Sequence, residues 1–335
     1  MDIPVELRIG GRAREGGVSR RGFLGLLGGI AAVLGLPLEE LLAAYTKSLA
    51  KTPRIPVIWL GFQDCTGDTE SFIRAGERQD PIESSIVDPG IVDLLLDIVS
   101  LEYHETLMAP SGAGAEKSRT DTIAKYKGKY LAIVEGSIPT KDNGVYCMIG
   151  GKTALSIAKE VCANAKAVIA AGSCAVSGAL ASAKPNPTLA KGLLEAIPTL
   201  TNVANLPGCP VNAVNLMASI VYLIAYGKFP SLDGSRRPKF AYDGSIHERC
   251  PRKDYYEHGP HVGAWGDANH RAGRCFVRMS CRGPRTHGNC SRSNIKWIGG
   301  TSWPVLAGHG CIGCTEPRFW DTMFPLYNNP DPADD

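Results

Sequence analysis

The sequence lacks any apolar run of the roughly 20 residues that a membrane-crossing helix requires. Its longest, Phe23 to Leu36, spans 14 residues, too short for a permanent anchor and suited to the core of an export signal. Charge of one sign is equally scarce. Thirty-six Lys and Arg stand against 33 Asp and Glu, a net +3, which gives no electrostatic footing for a nucleic-acid surface. Compositional bias is absent too: 44% hydrophobic and 21% charged residues are ordinary globular usage, which excludes a disordered chain or a repeat array. What the chain does hold in excess is cysteine. Eleven is an odd number, so a complete disulfide framework leaves one thiol over. A chain of 335 residues also has core enough to fold without staples. Metal binding is the first reading of these thiols.

Ser19-Arg20-Arg21-Gly22-Phe23-Leu24, set ahead of the apolar run, reads as a twin-arginine export signal occupying residues 1–50. The bland alternative is a surface amphipathic helix with a chance Arg-Arg pair. Ala43-Ala44 is a weak mark for cleavage. The expected location is periplasmic. The tail Asn328-Asn329-Pro330-Asp331-Pro332 is polar, so attachment to the cytoplasmic membrane is expected to come through a partner.

Residues 51–229 read as one α/β domain, because from Ile55 to about Lys228 short apolar runs alternate with helical patterns, as in βα units around a parallel sheet. Strands are expected at Ile55 to Leu60, Lys129 to Val134, Ala167 to Ala171 and Thr201 to Leu206. Helices are expected at Lys152 to Ala165 and at Asn212 to Tyr226, the second closed by Gly227. Cys65, Cys174 and Cys209 each follow the carboxyl end of an expected strand, and those ends line the ligand crevice of open α/β sheets. Gly172 and Gly208 beside two of them allow the backbone to turn tightly and approach a bulky inorganic group. The alternative is that all three are buried structural thiols.

From Pro230 the periodicity fades, and residues 230–335 read as a loop-rich second domain. Its spacings are tight: His247-x2-Cys250, Cys275-x5-Cys281, Cys290, and Cys311-x2-Cys314. A region that cannot bury much by itself and carries six cysteines and a histidine there suits a domain folded around metal clusters. Tetrahedral zinc accepts the same local spacings and stays open as an alternative.

Between Arg20 and about Trp320 the chain resembles the small subunit of membrane-associated uptake nickel–iron hydrogenases. The matching blocks include Val57-Ile58-Trp59-Leu60 leading to Cys65-Thr66-Gly67, Ser100-Leu101-Glu102-Tyr103-His104-Glu105, Gly136-Ser137-Ile138-Pro139, Gly172-Ser173-Cys174 and Pro207-Gly208-Cys209-Pro210. They continue with His247 to Cys250, Cys281-Arg282-Gly283-Pro284, and Trp303-Pro304-Val305-Leu306-Ala307-Gly308-His309-Gly310-Cys311-Ile312-Gly313-Cys314. The resemblance implies a flavodoxin-like parallel-sheet domain followed by a loop-rich iron–sulfur domain, with two 4Fe-4S clusters and one 3Fe-4S cluster. It assigns Cys65, Cys174 and Cys209 to a proximal 4Fe-4S cluster, and His247, Cys250, Cys275 and Cys281 to a distal one. Cys290, Cys311 and Cys314 go to a medial 3Fe-4S cluster. Cys162 is left for the core, and Cys147 without a place.

One departure matters. The family's usual proximal loop is Cys-x-x-Cys, whereas this chain reads Cys65-Thr66-Gly67-Asp68. A carboxylate carries a thiolate's charge with a harder oxygen donor, so Asp68 is the expected fourth ligand. Its alternative role is a helix N-cap. Gly67 also lacks the extra cysteine of oxygen-tolerant relatives with a six-cysteine proximal cluster.

The resemblance further implies electron transfer from hydrogen oxidation, with catalysis at a nickel–iron centre in a partner large subunit. A membrane cytochrome or iron–sulfur protein is the expected acceptor, with Arg249, Arg252, Arg274, Arg278, Arg282 and Arg285 as a docking face or merely a solvated one. Two rivals stand beside it: a cluster-bearing subunit of a complex I-like quinone reductase, and an exported module stapled by zinc or disulfides.

Overall fold

Ile58, Leu60, Ala132, Val134, Val168 and Ala170 point one way along their segments, and Val57, Trp59, Leu131, Ile133, Ala167 and Ile169 point the other. Segments apolar on both faces must be covered on both, which is the situation of a parallel sheet between helical layers. The computed structural model, which describes residues 20–49, 54–74, 99–292, 295 and 302–322, has this arrangement. Strands β1 (Ile55–Gly61), β2 (Val99–His104), β3 (Leu131–Glu135), β4 (Ala167–Ala171) and β5 (Val203–Leu206) form one parallel sheet in the order β2-β1-β3-β4-β5. That is the flavodoxin-type order, with its topological switch between β1 and β3.

Helices α1 (Arg20–Leu34), α2 (Leu38–Leu49), α3 (Gly67–Ile73) and α7 (Ala213–Tyr226) contribute to the core on one face of the sheet; α4 (Gly112–Lys125) and α5 (Ala154–Asn164) contribute to the other. A short α6 (Gly172–Ser177) follows β4 directly. Local chemistry sets several boundaries. Asn212 caps α7 by accepting the Val214 and Asn215 N–H groups, and Gly227 closes it at φ +71°. Thr153 caps α5, so that helix starts at Ala154 rather than at Lys152, which instead pairs in a two-residue ribbon. β3 starts two residues later than expected because the Lys129 N–H closes a turn on the Tyr126 carbonyl at 2.8 Å.

Two elements carry no sequence signal of their own. β2 is an edge strand whose middle is only partly buried, and it therefore mixes polar with apolar residues. α4 is largely polar, without an apolar stripe.

Helices α1 and α2 pack on α7, with Leu27, Ile30, Leu41 and Tyr45 buried in the same core as Leu216, Ile220 and Ile224. The Ser48 hydroxyl donates to the Ile224 carbonyl at 2.6 Å. Each buried leucine contributes about 1.5–3 kcal/mol, so this segment covers the apolar face of α7. Ala43 and Ala44 lie inside α2. Among the described residues no single helix is long and apolar enough to cross a membrane. Leu24–Leu34 and Leu38–Ser48 reach that length only together, bent by 114°. Ser19, Pro53 and the tail from Asn328 lie outside the described residues.

Past Pro230 the longest described helix is Lys253–His258. A small core of Ile246, Val262, Phe276, Met279, Trp303 and Val305 includes Cys311 and packs against Cys250, Cys281 and Cys290. The cysteines are part of what holds this region together.

Candidate metal centres

Gly61 pairs with Glu135, Glu135 with Ala171, and Ala171 with Leu206. These four residues form one row across the carboxyl edge of the sheet. Just beyond it come Cys65, Cys174 and Cys209, so parallel register alone brings three donors distant in sequence to the same edge. Charge on Asp68, Cys209 and Cys65 acts on Cys174, which is pushed up to about 12, chiefly by burial. Cys209 is raised to about 11 by burial and by the charges of Asp68 and Cys65.

Asp68 joins this group. It is the second residue of α3, and Thr66 stands before the helix in the left-handed region at φ 60° without a side-chain cap. The Asp68 carboxylate accepts the Val211 N–H at 2.5 Å instead of capping α3, so the N-cap alternative is not realised. Burial raises its acid to about 8, with Glu135 and Asp64 adding and the Val211 N–H opposing. Gly172 adopts φ +77°, and a Cβ there would overlap the Asp68 carboxylate. The glycine expected to admit an inorganic group thus admits this side chain.

His247, Cys250, Cys275 and Cys281 line one cavity together with Phe276 and Trp303. Burial and Lys253 lower the His247 pKa, favouring the neutral ring that ligation requires. His247 meets the Tyr256 ring edge-on at 4.4 Å. Arg252 donates its backbone N–H to Cys250 Sγ at 3.5 Å and its Nη1 to the Arg274 carbonyl at 2.8 Å. Its guanidinium lies 4.4 Å over Phe276. That charge acts on Cys250, Cys275 and Cys281 together.

Cys290, Cys311 and Cys314 form the third set. Burial pushes Cys290 and Cys314 up to about 12 and Cys311 higher still, and mutual charge adds to each. The Gly313 N–H donates to Cys311 Sγ at 3.4 Å. This set touches both others. The Ser173 hydroxyl donates to the Cys314 carbonyl and accepts the Gly208 N–H at 2.9 Å, and the Cys209 N–H lowers the Cys314 pKa. On the other side the Cys311 N–H donates to Cys281 Sγ at 3.3 Å. Gly310 permits that approach, since a Cβ there would lie 3.1 Å from the Cys281 Cα.

The donor chemistry fits iron–sulfur clusters. All eleven cysteines are free thiols; of the nine named, Cys275 and Cys311 are buried, Cys65 and Cys209 are exposed and the rest are partly buried, and mutual charge raises several of their pKa values, a surrounding that a cationic inorganic group would compensate. Among the described residues no three His, Cys, Asp or Glu side chains converge as the ligands of a single ion. A zinc site would crowd its ligands at about 2.0–2.3 Å from one ion, whereas a cluster spreads them over several irons. Cys162 lies on the buried face of α5, in the core, in keeping with its expected role. Cys147 packs beside the same core, and its carbonyl accepts the Ala154 N–H.

The arginine group divides. Arg249, Arg278 and Arg285 are exposed, and Arg252 and Arg274 are partly buried. Arg282 is 5% exposed and donates its N–H to the Cys311 carbonyl; it is no part of a surface, because its backbone is tied to the Cys311 loop. Sequence reasoning also missed Ser173, Glu135 and the buried pair Asn215 and Asn289. Only Glu135 left a trace, as a lone acid ending the apolar run Leu131 to Val134.

Comparison with known proteins accords with this geometry. Residues 242–327 match the family described as the C-terminal part of the NiFe/NiFeSe hydrogenase small subunit. Residues 65–223 match the NADH ubiquinone oxidoreductase 20 Kd subunit family. The hydrogenase-2 small chain of Escherichia coli is 42% identical over 300 residues, 90% of this chain and 77% of that one. The periplasmic NiFe hydrogenase small subunit 1 of Nitratidesulfovibrio vulgaris is 40% identical over 319 residues, 95% of this chain and 96% of that one. In structure, the chain is similar to the Ni-Fe-Se hydrogenase of Desulfomicrobium baculatum in a reduced, active form. The TM-score is 0.73 at 29% identity, covering 83% of this chain and all of that one. The 20 Kd match stops short of the distal and medial donors, while the long relatives run through all three sets, and the chain accordingly belongs to the small-subunit family of nickel–iron hydrogenases, oxidoreductases whose catalytic site lies in a large subunit.

Proposed function

We propose that this chain conducts electrons from hydrogen oxidation in its large-subunit partner to a respiratory acceptor, through three iron–sulfur clusters. Cys65, Asp68, Cys174 and Cys209 hold a proximal 4Fe-4S cluster, Cys290, Cys311 and Cys314 a medial 3Fe-4S cluster, and His247, Cys250, Cys275 and Cys281 a distal 4Fe-4S cluster. The observation that carries this reading is the serial contact of the three donor sets, joined by Ser173 to Cys314 and by Cys311 to Cys281. When bound, the clusters supply one-electron carriage.

The protein's own residues set the conditions. Four acidic ligands make the proximal site more negative than the distal one, where neutral His247 replaces an anion and Arg252 stands beside the thiols. The difference favours electron exit at the distal end. Cys311 is buried, and Cys290 and Cys314 are partly buried, so the middle of the route is the part least open to water. Arg249, Arg278 and Arg285 offer positive charge to an acidic membrane cytochrome or iron–sulfur partner.

The same reading divides the chain into a signal region at 1–50, a flavodoxin-like domain at 51–229 and a cluster domain at 230–335. Export by the twin-arginine route to the periplasm is supported by Arg20-Arg21 before the apolar helix and by the periplasmic name of one relative. The test is hydrogen-dependent dye reduction, with an iron count, on material co-purified with the large subunit. Full iron content without hydrogen activity would favour the complex I-like reading, and zinc or no metal would sink both.

A further inference from the structure

Glu135 ends β3 in the row that faces the proximal donors, yet it is not one of them. It is 1% exposed. Its carboxylate accepts Trp59 Nε1–H at 2.9 Å, the Asp68 N–H at 3.0 Å, the Thr69 N–H at 3.2 Å and the Thr69 hydroxyl. The Thr69 oxygen lies 3.1 Å from His104 Nε2. His104 Nδ1 accepts the N–H groups of Thr106 and Leu107 at 3.2 and 3.3 Å, so the ring proton sits on Nε2 and donates to Thr69. The hydroxyl proton of Thr69 is thereby committed to Glu135. All of these donors are neutral, and none brings a positive charge to the carboxylate.

Two physical effects follow, and they share a sign. The Asp68 and Thr69 amides belong to the first turn of α3, close in sequence to Cys65, and both donate to Glu135. Hydrogen bonds to sulfur and positive charge raise a cluster's potential; removing the first and adding a buried anion lower it. The field of Glu135 reaches the site, since it raises the acids of both Asp68 and Asp64.

We propose that Glu135 is a positioning residue for the proximal centre: it orients the turn carrying Asp68, withholds two amides from the cluster and supplies a fixed negative charge that keeps its potential low. An electron arriving there is then passed onward toward the medial donors. Glu135 itself neither gains nor loses an electron. The inference rests on the reading that Cys65, Asp68, Cys174 and Cys209 hold a cluster.

The test is an EPR-monitored redox titration of the proximal centre in the intact heterodimer, comparing wild type with Glu135→Gln and Trp59→Phe. Glu135→Gln is expected to raise the midpoint enough to change the reduced-to-oxidised ratio at fixed potential by about tenfold, about 59 mV for one electron. Trp59→Phe breaks one hydrogen bond to the same carboxylate and keeps its charge, so its midpoint should stay or fall. A Glu135→Gln midpoint that is unchanged or lower, at full iron content, overturns the proposal. If that variant does not assemble, a rise in Trp59→Phe overturns it equally, because packing rather than charge would then move the potential. A wild-type heterodimer short of one cluster's iron and without a proximal signal removes the ligand reading, and this inference with it.

Discussion

The backbone N–H of Cys311 donates to the sulfur of Cys281 at 3.3 Å. The set of Cys290, Cys311 and Cys314 is thus hydrogen-bonded to the set that holds Cys281, and Ser173 makes the corresponding link from the loop of Cys174 to Cys314. The distances between the three sets are fixed by backbone and short side chains, which have little freedom to drift.

Ser173 satisfies both the Gly208 N–H and the Cys314 carbonyl in a buried position. Ser173→Ala leaves both groups without that partner and should destabilise the holo heterodimer by about 1–3 kcal/mol. Thermal unfolding with iron content held equal reads this. An unaltered melting temperature would show that the bridge is not structural.

Asp68→Cys should retain the iron of wild type, about eleven atoms for clusters of these types, while changing the proximal EPR signal. Exchanging oxygen for sulfur at iron alters covalency. An identical signal in the two proteins would exclude ligation by Asp68.

Asn215 on α7 and Asn289, next to Cys290, exchange two side-chain amide bonds at 2.9 and 2.8 Å, and both residues are 2% exposed. Asn215→Leu strands the other amide and should cost about 1–3 kcal/mol. The double change to leucine should cost less than the sum of the two single ones, since neither amide is then left unpaired. Denaturant unfolding of the four proteins measures the coupling, and strict additivity would contradict it.

Removing iron with a chelator should open the region past Pro230 before the sheet. Its small core contains or touches Cys250, Cys281, Cys290 and Cys311, whereas the sheet is closed by aliphatic residues on both faces. Limited proteolysis, with cleavage sites located by mass, should find early cuts after residue 230. Simultaneous loss of both regions would show that the sheet also depends on metal.

The α/β class was legible because Ile55 to Leu60 and Ala167 to Ala171 are apolar on both faces, and because Asn212 and Gly227 mark the ends of α7 with the side chain and backbone freedom that those ends require. β2 and α4 were not legible: an edge strand and a polar surface helix are selected by their neighbours and carry little periodicity. At the site, donor identity could be read from residue type and spacing. The surroundings of Asp68 could not, because Val211 and Gly172 reach it only through the fold. The buried Arg282 shows the converse error, a charge placed on the surface by sequence and held inside by its backbone bond to Cys311.

The sequence by itself determined which atoms are available for ligation, since thiol, imidazole and carboxylate chemistry belongs to the residue. Only the tertiary structure decided which of them meet. Parallel register aligns Gly61, Glu135, Ala171 and Leu206 in one row, and that row brings Cys65, Cys174, Cys209 and Asp68 to one edge beside a buried carboxylate. Contacts between residues so far apart in sequence depend on strand pairing and burial, which no local pattern encodes.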